Sequence, residues 1–117
     1  MPNSYGNFIA KQVRTGIARV GPDVWVRLVA QGSMPVPGRQ VIEIQAKGGG
    51  ALCIDYTNID EHGNFTAPTN SGQGSKIIPA GTIKGEPLSD KVMLWGRHTA
   101  KVASTHGGMK VIVTEYT

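Results

Sequence analysis

The chain has 117 residues, a length that fits one domain with one modest core. Its formal net charge is +4, only 17% of its residues are charged, and it contains 16 glycines, a balance typical of short strands joined by many turns. The single cysteine excludes an intramolecular disulfide, and no apolar run reaches transmembrane length. The polar first residues do not resemble a signal peptide, so we expect synthesis in a cytoplasm.

The start of the chain is predicted to be an extended arm. Residues 1–12 are too polar to form a core of their own, yet they contain two aromatic anchors, Tyr5 and Phe8. Three bases follow the anchors with no acid among them: Lys11, Arg14 and Arg19. A basic segment of this kind can meet an acidic protein surface or a phosphate backbone. We therefore interpret these five residues as partner-binding, with a solvated basic segment as the alternative.

Two strands are predicted next. Residues 13–20 alternate as a strand, with Val13, Thr15 and Ile17 on one face, and end at a Gly-Pro-Asp turn. Residues 24–30 alternate more clearly and place Trp25 and Arg27 on the outward face. An exposed tryptophan beside an arginine is a candidate contact surface. A tryptophan packed under a loop is the alternative.

Residues 41–56 are predicted to form the β-hairpin around which the chain is organised. Apolar and polar residues alternate on both sides of a turn at residues 47–50, Lys-Gly-Gly-Gly, whose glycines supply positive φ angles. Residues 99–105 and 109–116 repeat this design around a His-Gly-Gly turn. Two hairpins of this kind favour an all-β domain.

The segments between these hairpins also lack a helical period. Residues 57–74 form a long polar loop, residues 79–81 a turn, and residues 91–96 a further strand. We therefore predict an all-β fold, an antiparallel β-sandwich of the jelly-roll kind with seven to nine short strands. Residues 13–117 form its single domain, preceded by the arm. Its core is predicted to contain Ile42, Ile44, Leu52, Ile54, Leu94, Val111 and Val113.

No catalytic constellation can be found in the sequence, so we predict that the protein is not an enzyme and needs no cofactor. Asp60, Glu61 and His62 are potential metal ligands, but adjacent residues on an extended loop point to different sides. No metal site is therefore predicted, and a solvated loop explains the cluster. A nucleophile elbow and a phosphate-loop spacing are both missing.

Two binding functions were weighed from the same residues. The sequence pI of about 9.5 is typical of nucleic-acid binders, but the bases are scattered one per strand and no aromatic-basic run occurs, which argues against a nucleic-acid partner. Aromatic residues could instead stack on sugars, which keeps a carbohydrate-binding module as an alternative. The candidates are Trp25, Trp95, Tyr5 and Tyr56.

From about Val24 to Glu115 the order of elements resembles the small β-sandwich proteins that decorate or cement the heads of tailed bacteriophages. The matching pieces are VWVRLVA, GRQVIEIQAKGGGALCIDY, a polar loop, an apolar turn IIPAGT and a terminal KVIVTEY. The resemblance implies a virion structural protein on the head surface. It also implies dimers or trimers seated over contacts between major capsid proteins, with extended termini reaching onto neighbours.

The sequence thus leads to an expected function of capsid decoration or cementing, with the major capsid protein and the chain itself as partners. No membrane partner is expected. A tail, fibre-base or other virion β-module is the first alternative, followed by the carbohydrate-binding module.

Overall fold

The computed structural model describes residues 11–21, 24–48, 50–69, 76–98 and 109–117, and this part of the chain folds into eight β-strands without a helix. The strand count falls within the predicted seven to nine. The strands are β1 (Val13–Val20), β2 (Val26–Arg27), β3 (Val41–Lys47), β4 (Ala51–Asn58), β5 (Lys76–Pro79), β6 (Ile83–Pro87), β7 (Val92–His98) and β8 (Met109–Tyr116).

The strands form two antiparallel sheets of four. Sheet A has the order β1-β8-β3-β6 and sheet B the order β2-β7-β4-β5. The first strand pairs with the eighth, the second with the seventh, the third with the sixth and the fourth with the fifth. The chain therefore resembles one long folded hairpin, and β8 against β3 and β7 against β4 close the roll. This is the jelly-roll arrangement, so the predicted β-sandwich is confirmed.

The predicted central hairpin over residues 41–56 is wrong. β3 lies in sheet A between β8 and β6, whereas β4 lies in sheet B between β7 and β5. The glycine turn does exist, with φ of 119° at Gly48 and 89° at Gly50, but it carries the chain from one sheet to the other. Alternation shows which face of a strand is buried and says nothing about its neighbour. Both strands point apolar side chains into the same core from opposite sides.

Two other strand predictions need comment. Residues 99–105, the first half of the second predicted hairpin, lie outside the described residues, while β8 is paired on both sides, with β1 and with β3. The strand predicted over residues 24–30 is too long, because only Val26 and Arg27 are β-paired. Its alternation is nevertheless correct, since Leu28 packs in the core between the sheets and Val29 packs on the other side.

The main core lies between the sheets, and all seven residues predicted for it are found there. Sequence alternation succeeds here because each sheet turns one face inward, so a period of two is enough to identify the buried side chains. Other strands and loops complete the cluster with Val20, Leu28, Ala46, Ile78 and Met109.

A buried ion pair ties the long connection between β2 and β3 to the strands. Arg39 donates to Glu115 at 2.8 Å, and both side chains are within the protein. The same carboxylate accepts the backbone N–H groups of Ala30 at 2.8 Å and Val36 at 3.2 Å. Burial lowers the pKa of Arg39, and its hydrogen bond to Glu115 opposes that shift. Arg39 also donates to the carbonyls of Leu88 and Ser89, in the segment before β7, and to that of Val92, the first residue of β7.

The described part of the arm is attached to the C-terminus. The backbone N–H of Lys11 donates to the carbonyl of Thr117 at 2.8 Å, and the N–H of Thr117 donates to the carbonyl of Gln12 at 3.0 Å. Residues 11 and 12 thus continue alongside the end of β8. Residues 1–10, with Tyr5 and Phe8, lie outside the described residues.

Candidate interaction site on the outer face of sheet A

Alternation along sheet A places a second set of side chains on the face that points away from sheet B. We call this set the open face, because all of its side chains are exposed or half-buried. Only Val41, near one end of β3, is buried among the outward-pointing residues of that strand. The open face consists of Val13, Thr15, Ile17 and Arg19 from β1, Lys110, Ile112 and Thr114 from β8, Glu43, Gln45 and Lys47 from β3, and Ile83 from β6.

A row of three isoleucines, interrupted by Gln45, crosses the open face from edge to edge, and we call it the apolar row. Ile17 lies opposite Ile112, Ile112 opposite Gln45, and Gln45 opposite Ile83. The two edge isoleucines are strongly exposed, Ile17 at 57% and Ile83 at 60%. Apolar side chains scattered singly over a surface need no explanation, whereas apolar side chains grouped together on a surface are typical of a contact surface.

A basic row lies next to the apolar row. The strand register places Arg19 directly opposite Lys110, and Lys110 directly opposite Lys47. Neighbouring strands are about 4.8 Å apart, so Lys110 is within contact distance of Arg19 on one side and of Lys47 on the other. None of the salt bridges among the described residues involves them. This end of the open face therefore concentrates positive charge and favours anionic groups.

The rest of the open face carries two threonine hydroxyls, the acid Glu43 and, at its far end, the exposed Val13. Thr15 and Thr114 share a hydrogen bond of 3.2 Å between their hydroxyl groups. Next to them on β3, the carboxylate of Glu43 accepts a hydrogen bond from the Tyr116 hydroxyl at 3.4 Å. The face thus runs from basic, through apolar, to hydroxyl-bearing side chains along the strands.

The outer face of sheet B is built differently, because residues 59–69 fold over it. We call it the covered face. Trp95 on β7 is only 5% exposed, and its ring nitrogen donates to the Thr57 hydroxyl at 2.7 Å. Phe65 from the loop packs against it, with the ring centres 5.9 Å apart. Val29, Ile59 and Met93 complete this second apolar cluster.

Both arginines of the covered face stack on aromatic rings. Arg27 lies 5.1 Å from the centre of the Phe65 ring and donates to the Ser33 carbonyl at 3.2 Å, and Arg97 lies 6.0 Å from the centre of the Trp25 ring. Cation–π contacts of this kind hold side chains in place. Trp25 and Arg27 do lie on the outward face of their sheet, as the alternation indicates, but they help to fasten the protein's own loop.

The loop itself begins with a turn that is built by an acid. The Asp60 side chain accepts the backbone N–H groups of His62 and Asn64, each at 2.8 Å, and Gly63 adopts a φ of 81°. Glu61 lies 3.4 Å from the His62 ring, and both side chains are exposed. The three residues therefore initiate a turn. Within the described ranges, no group of three or more His, Cys, Asp or Glu side chains could hold a metal ion.

A groove lies between the two edge strands β5 and β6. Its volume is about 590 Å³, and none of its lining residues is an acid, a histidine or a cysteine. Both strands carry a proline and a lysine, which are residues that protect sheet edges from pairing with other chains. The groove is lined by Lys76, Ile77, Ile78, Pro79, Thr82, Ile83, Lys84 and Gly85.

A polar cluster borders this groove. The Tyr56 hydroxyl donates to Glu86 at 2.5 Å, and the same carboxyl group lies 3.9 Å from Lys76 and 4.0 Å from Lys84. Burial, together with the hydrogen bond to Glu86, raises the pKa of Tyr56 above the ordinary range of a tyrosine. Glu86 thus links Tyr56 of β4 to Lys76 of β5 and Lys84 of β6 across the strand edges.

The seven residues predicted to bind partners do not meet on one surface. Arg19 lies on the open face, and Lys11 is exposed at the end of the same edge. Arg14 shares the inward side of β1 with Val20 and stands opposite Glu115 in the ladder. The other four lie on the covered face or outside the described residues: Trp25 and Arg27, and Tyr5 and Phe8.

Sequence reasoning missed Lys47, Lys110 and the exposed isoleucines of the open face. Each base is unremarkable in its own strand, because a lysine at a strand end is an ordinary solvated residue. Only the pairing of β1, β8 and β3 places Lys47 and Lys110 beside Arg19. For Ile17, the signal was present in the alternation with Val13 and Thr15, but alternation alone does not say which face is the outer one.

The aromatic residues considered for sugar stacking are not brought together either. Trp95 is buried under the loop, and Tyr56 points toward Glu86 at the strand edges. Only Trp25 retains a half-buried ring at the surface of the covered face. The described residues thus offer no exposed aromatic platform of two or more rings.

Comparisons of the chain with protein-family models, with curated proteins and with solved structures found no match. The described strands and loops include no helix that is long and apolar enough to cross a membrane.

Proposed function

We propose that the protein is a virion structural protein that decorates or cements the head of a tailed bacteriophage and works by adhesion. The observation that carries the proposal is the open face, a four-stranded surface with an exposed apolar row and an adjacent basic row. Jelly rolls occur in viral capsid proteins and in lectins, so the fold is compatible with this function but does not assign it. In the proposal, the open face covers contacts between major capsid proteins on the head surface.

The apolar row would supply most of the adhesion. Fully burying an isoleucine that is otherwise exposed stabilises a contact by about 1.5–3 kcal/mol. Ile17 and Ile83 are each more than half exposed, so both retain most of this free energy for a partner. A dimer or trimer of the chain would add avidity, because binding of one subunit raises the effective concentration of the linked subunits at the head surface.

Co-sedimentation with empty heads of the phage that encodes the chain tests the proposal. We expect saturable binding, which Ile17→Asp weakens by at least about tenfold, equivalent to roughly 1.4 kcal/mol. Ile77→Asp is the matched control. This isoleucine is also on an edge strand and is 63% exposed, but it points outward from sheet B. Its substitution should leave binding unchanged.

Three results would count against the proposal. Failure to bind heads at any concentration would remove it, and equal losses for the two aspartate variants would remove the open face as the contact surface. Binding to isolated tails or fibre bases in place of heads would favour the alternative of a tail module that uses the same face.

The arm and the self-association expected from the sequence belong to the same proposal. Residues 11 and 12 pair with the C-terminus, so a deletion that tests the arm should remove residues 1–10 only. We propose that this segment, with Tyr5 and Phe8, reaches a neighbouring subunit. The shortened chain should melt at nearly the same temperature and bind heads more weakly. If the shortened chain binds heads as well as the full chain does, the arm is a passive tail. Light scattering during size-exclusion chromatography of the full chain should show the dimer or trimer.

A further inference from the structure

We infer that the basic row formed by Arg19, Lys110 and Lys47 recognises carboxylates on the surface of a different protein chain. The inference rests on the proposed function in one respect, namely that the open face is the contact surface. It adds the chemistry of the partner, which should present at least two acidic side chains beside an apolar patch.

The three bases of the basic row repel one another in the isolated chain. Like charges directly opposite each other on neighbouring strands are unfavourable, and here three occur in a line. Five other bases are compensated: Arg39 pairs with Glu115, Lys76 and Lys84 lie near Glu86, and Arg27 and Arg97 stack on aromatic rings. No such contact involves the basic row in the described part of the chain. A partner that supplies carboxylates would convert this repulsion into attraction.

The basic row lies directly beside the apolar row. Ile17 and Ile112 immediately adjoin Arg19 and Lys110 along their strands, two residues away. When a partner covers the isoleucines it excludes water, and charge pairs at the margin of a dry contact are stronger than those in open solvent. Arg19 adds geometric selectivity, because a guanidinium can bind a carboxylate through two parallel hydrogen bonds.

The charges of the open face and the short span of the basic row indicate which kind of partner can bind. A second copy would present the same bases, and the one acid of the open face, Glu43, already accepts a hydrogen bond from Tyr116. The row spans only three strands, or roughly 10 Å, and adjoins isoleucines, whereas a phosphate backbone favours a longer charged track. An acidic protein surface with apolar neighbours fits both rows at once.

A defined acidic probe tests the inference without any capsid. Fluorescein-labelled poly-L-glutamate of about twenty residues is titrated with the full chain, and binding is followed by anisotropy. The double variant Arg19→Gln with Lys47→Gln should weaken binding by roughly tenfold. It should also reduce the salt dependence, because exposed charge contacts are screened over about 10 Å at 0.1 M. Its melting temperature should be unchanged or higher, since the substitutions relieve like-charge repulsion.

The matched control is Lys76→Gln with Lys91→Gln, which changes the net charge by the same amount at two exposed lysines outside the row. It should retain binding within about twofold, or roughly 0.4 kcal/mol. Equal losses in the two double variants would mean that only net charge matters and would overturn the inference. So would tighter binding of a DNA duplex of equal charge through the same row. Because no head is present, failure here would leave head attachment through Ile17 untouched, and failure of head attachment would leave this result standing.

Discussion

The two outer faces of the sandwich are both formed by four-stranded antiparallel sheets. A loop of the chain covers one of them, whereas no described segment covers the other. On the covered face, residues 59–69 fold over β7, so that Phe65 packs on Trp95 and only 5% of that tryptophan is exposed. On the open face, no described segment does the same for Ile17, which is 57% exposed. One sheet has therefore received its second layer from its own chain, while the other presents an apolar row and a basic row to whatever approaches.

This difference shows how to interpret exposed apolar residues in a small jelly roll. In a sequence, a large side chain such as Trp95 is more readily interpreted as a contact residue than an isoleucine is. In this chain, however, a loop buries the Trp95 ring. The isoleucines of the open face are the apolar side chains that no described segment covers. If the open face is the adhesive surface, stability and binding should separate cleanly between the two faces.

The largest expected effect is on the covered face. Trp95→Ala removes a buried ring, its contact with Phe65 and its hydrogen bond to Thr57. Replacing a buried tryptophan with alanine costs about 3–5 kcal/mol. Urea denaturation followed by circular dichroism should show this loss in the free energy of unfolding. A loss below about 1 kcal/mol, the range of ordinary substitutions, would mean that the covering loop contributes little and that the contrast between the faces is smaller than described.

An intermediate effect is expected inside β1, at the residue next to Ile17. A Cβ atom on Gly16 would lie 1.6 Å from the carbonyl oxygen of Ala30, so the backbone of one segment must move. Overpacking of this kind costs about 1–3 kcal/mol. Gly16→Ala should lower the melting temperature accordingly, whereas Gly21→Ala is a control with no atom within 4 Å of the added methyl group. Equal melting temperatures for the two variants would contradict the close approach of β1 to the β2–β3 connection.

The smallest effect on stability is expected on the open face itself. Ile17→Ala should change the free energy of unfolding by no more than about 0.5 kcal/mol, because the side chain is mostly in water already. Ile44→Ala is the matched comparison, since Ile44 is 2% exposed and lies in the core between the sheets. That substitution should cost about 2–5 kcal/mol. Similar losses for the two isoleucines would show that Ile17 is covered in solution and that the open face is not open.

Much of the fold could be predicted from alternation. Ile42, Ile44 and Val113 were identified as core residues because every second position of a half-buried strand faces inward, and this holds whichever strand lies beside it. Pairing could not be predicted in the same way. The Gly48–Gly50 turn fits a hairpin and a crossover between sheets equally well, and only the closure of the whole roll decides between them.

The candidate site depends on the features that sequence reasoning could not reach. Arg19 was singled out, but its neighbours in the basic row are 28 and 91 positions away along the chain, at Lys47 and Lys110. Their proximity is a property of the register between β1, β8 and β3. The buried pair of Arg39 and Glu115 was missed for the same reason, because no local pattern distinguishes it from a pair of solvated charges.

We propose that the open face, and not the covered face, contacts the head, and cysteine protection distinguishes the two faces. Ile17→Cys and Ile77→Cys are prepared separately in a Cys53→Ser background, and maleimide labelling rates are compared for the isolated and the head-bound chain. We expect head binding to slow the labelling of Ile17→Cys by at least about tenfold, because a buried thiol is shielded from the reagent. The labelling rate of Ile77→Cys should be unchanged. Protection of Ile77→Cys with unaltered labelling of Ile17→Cys would contradict the proposal.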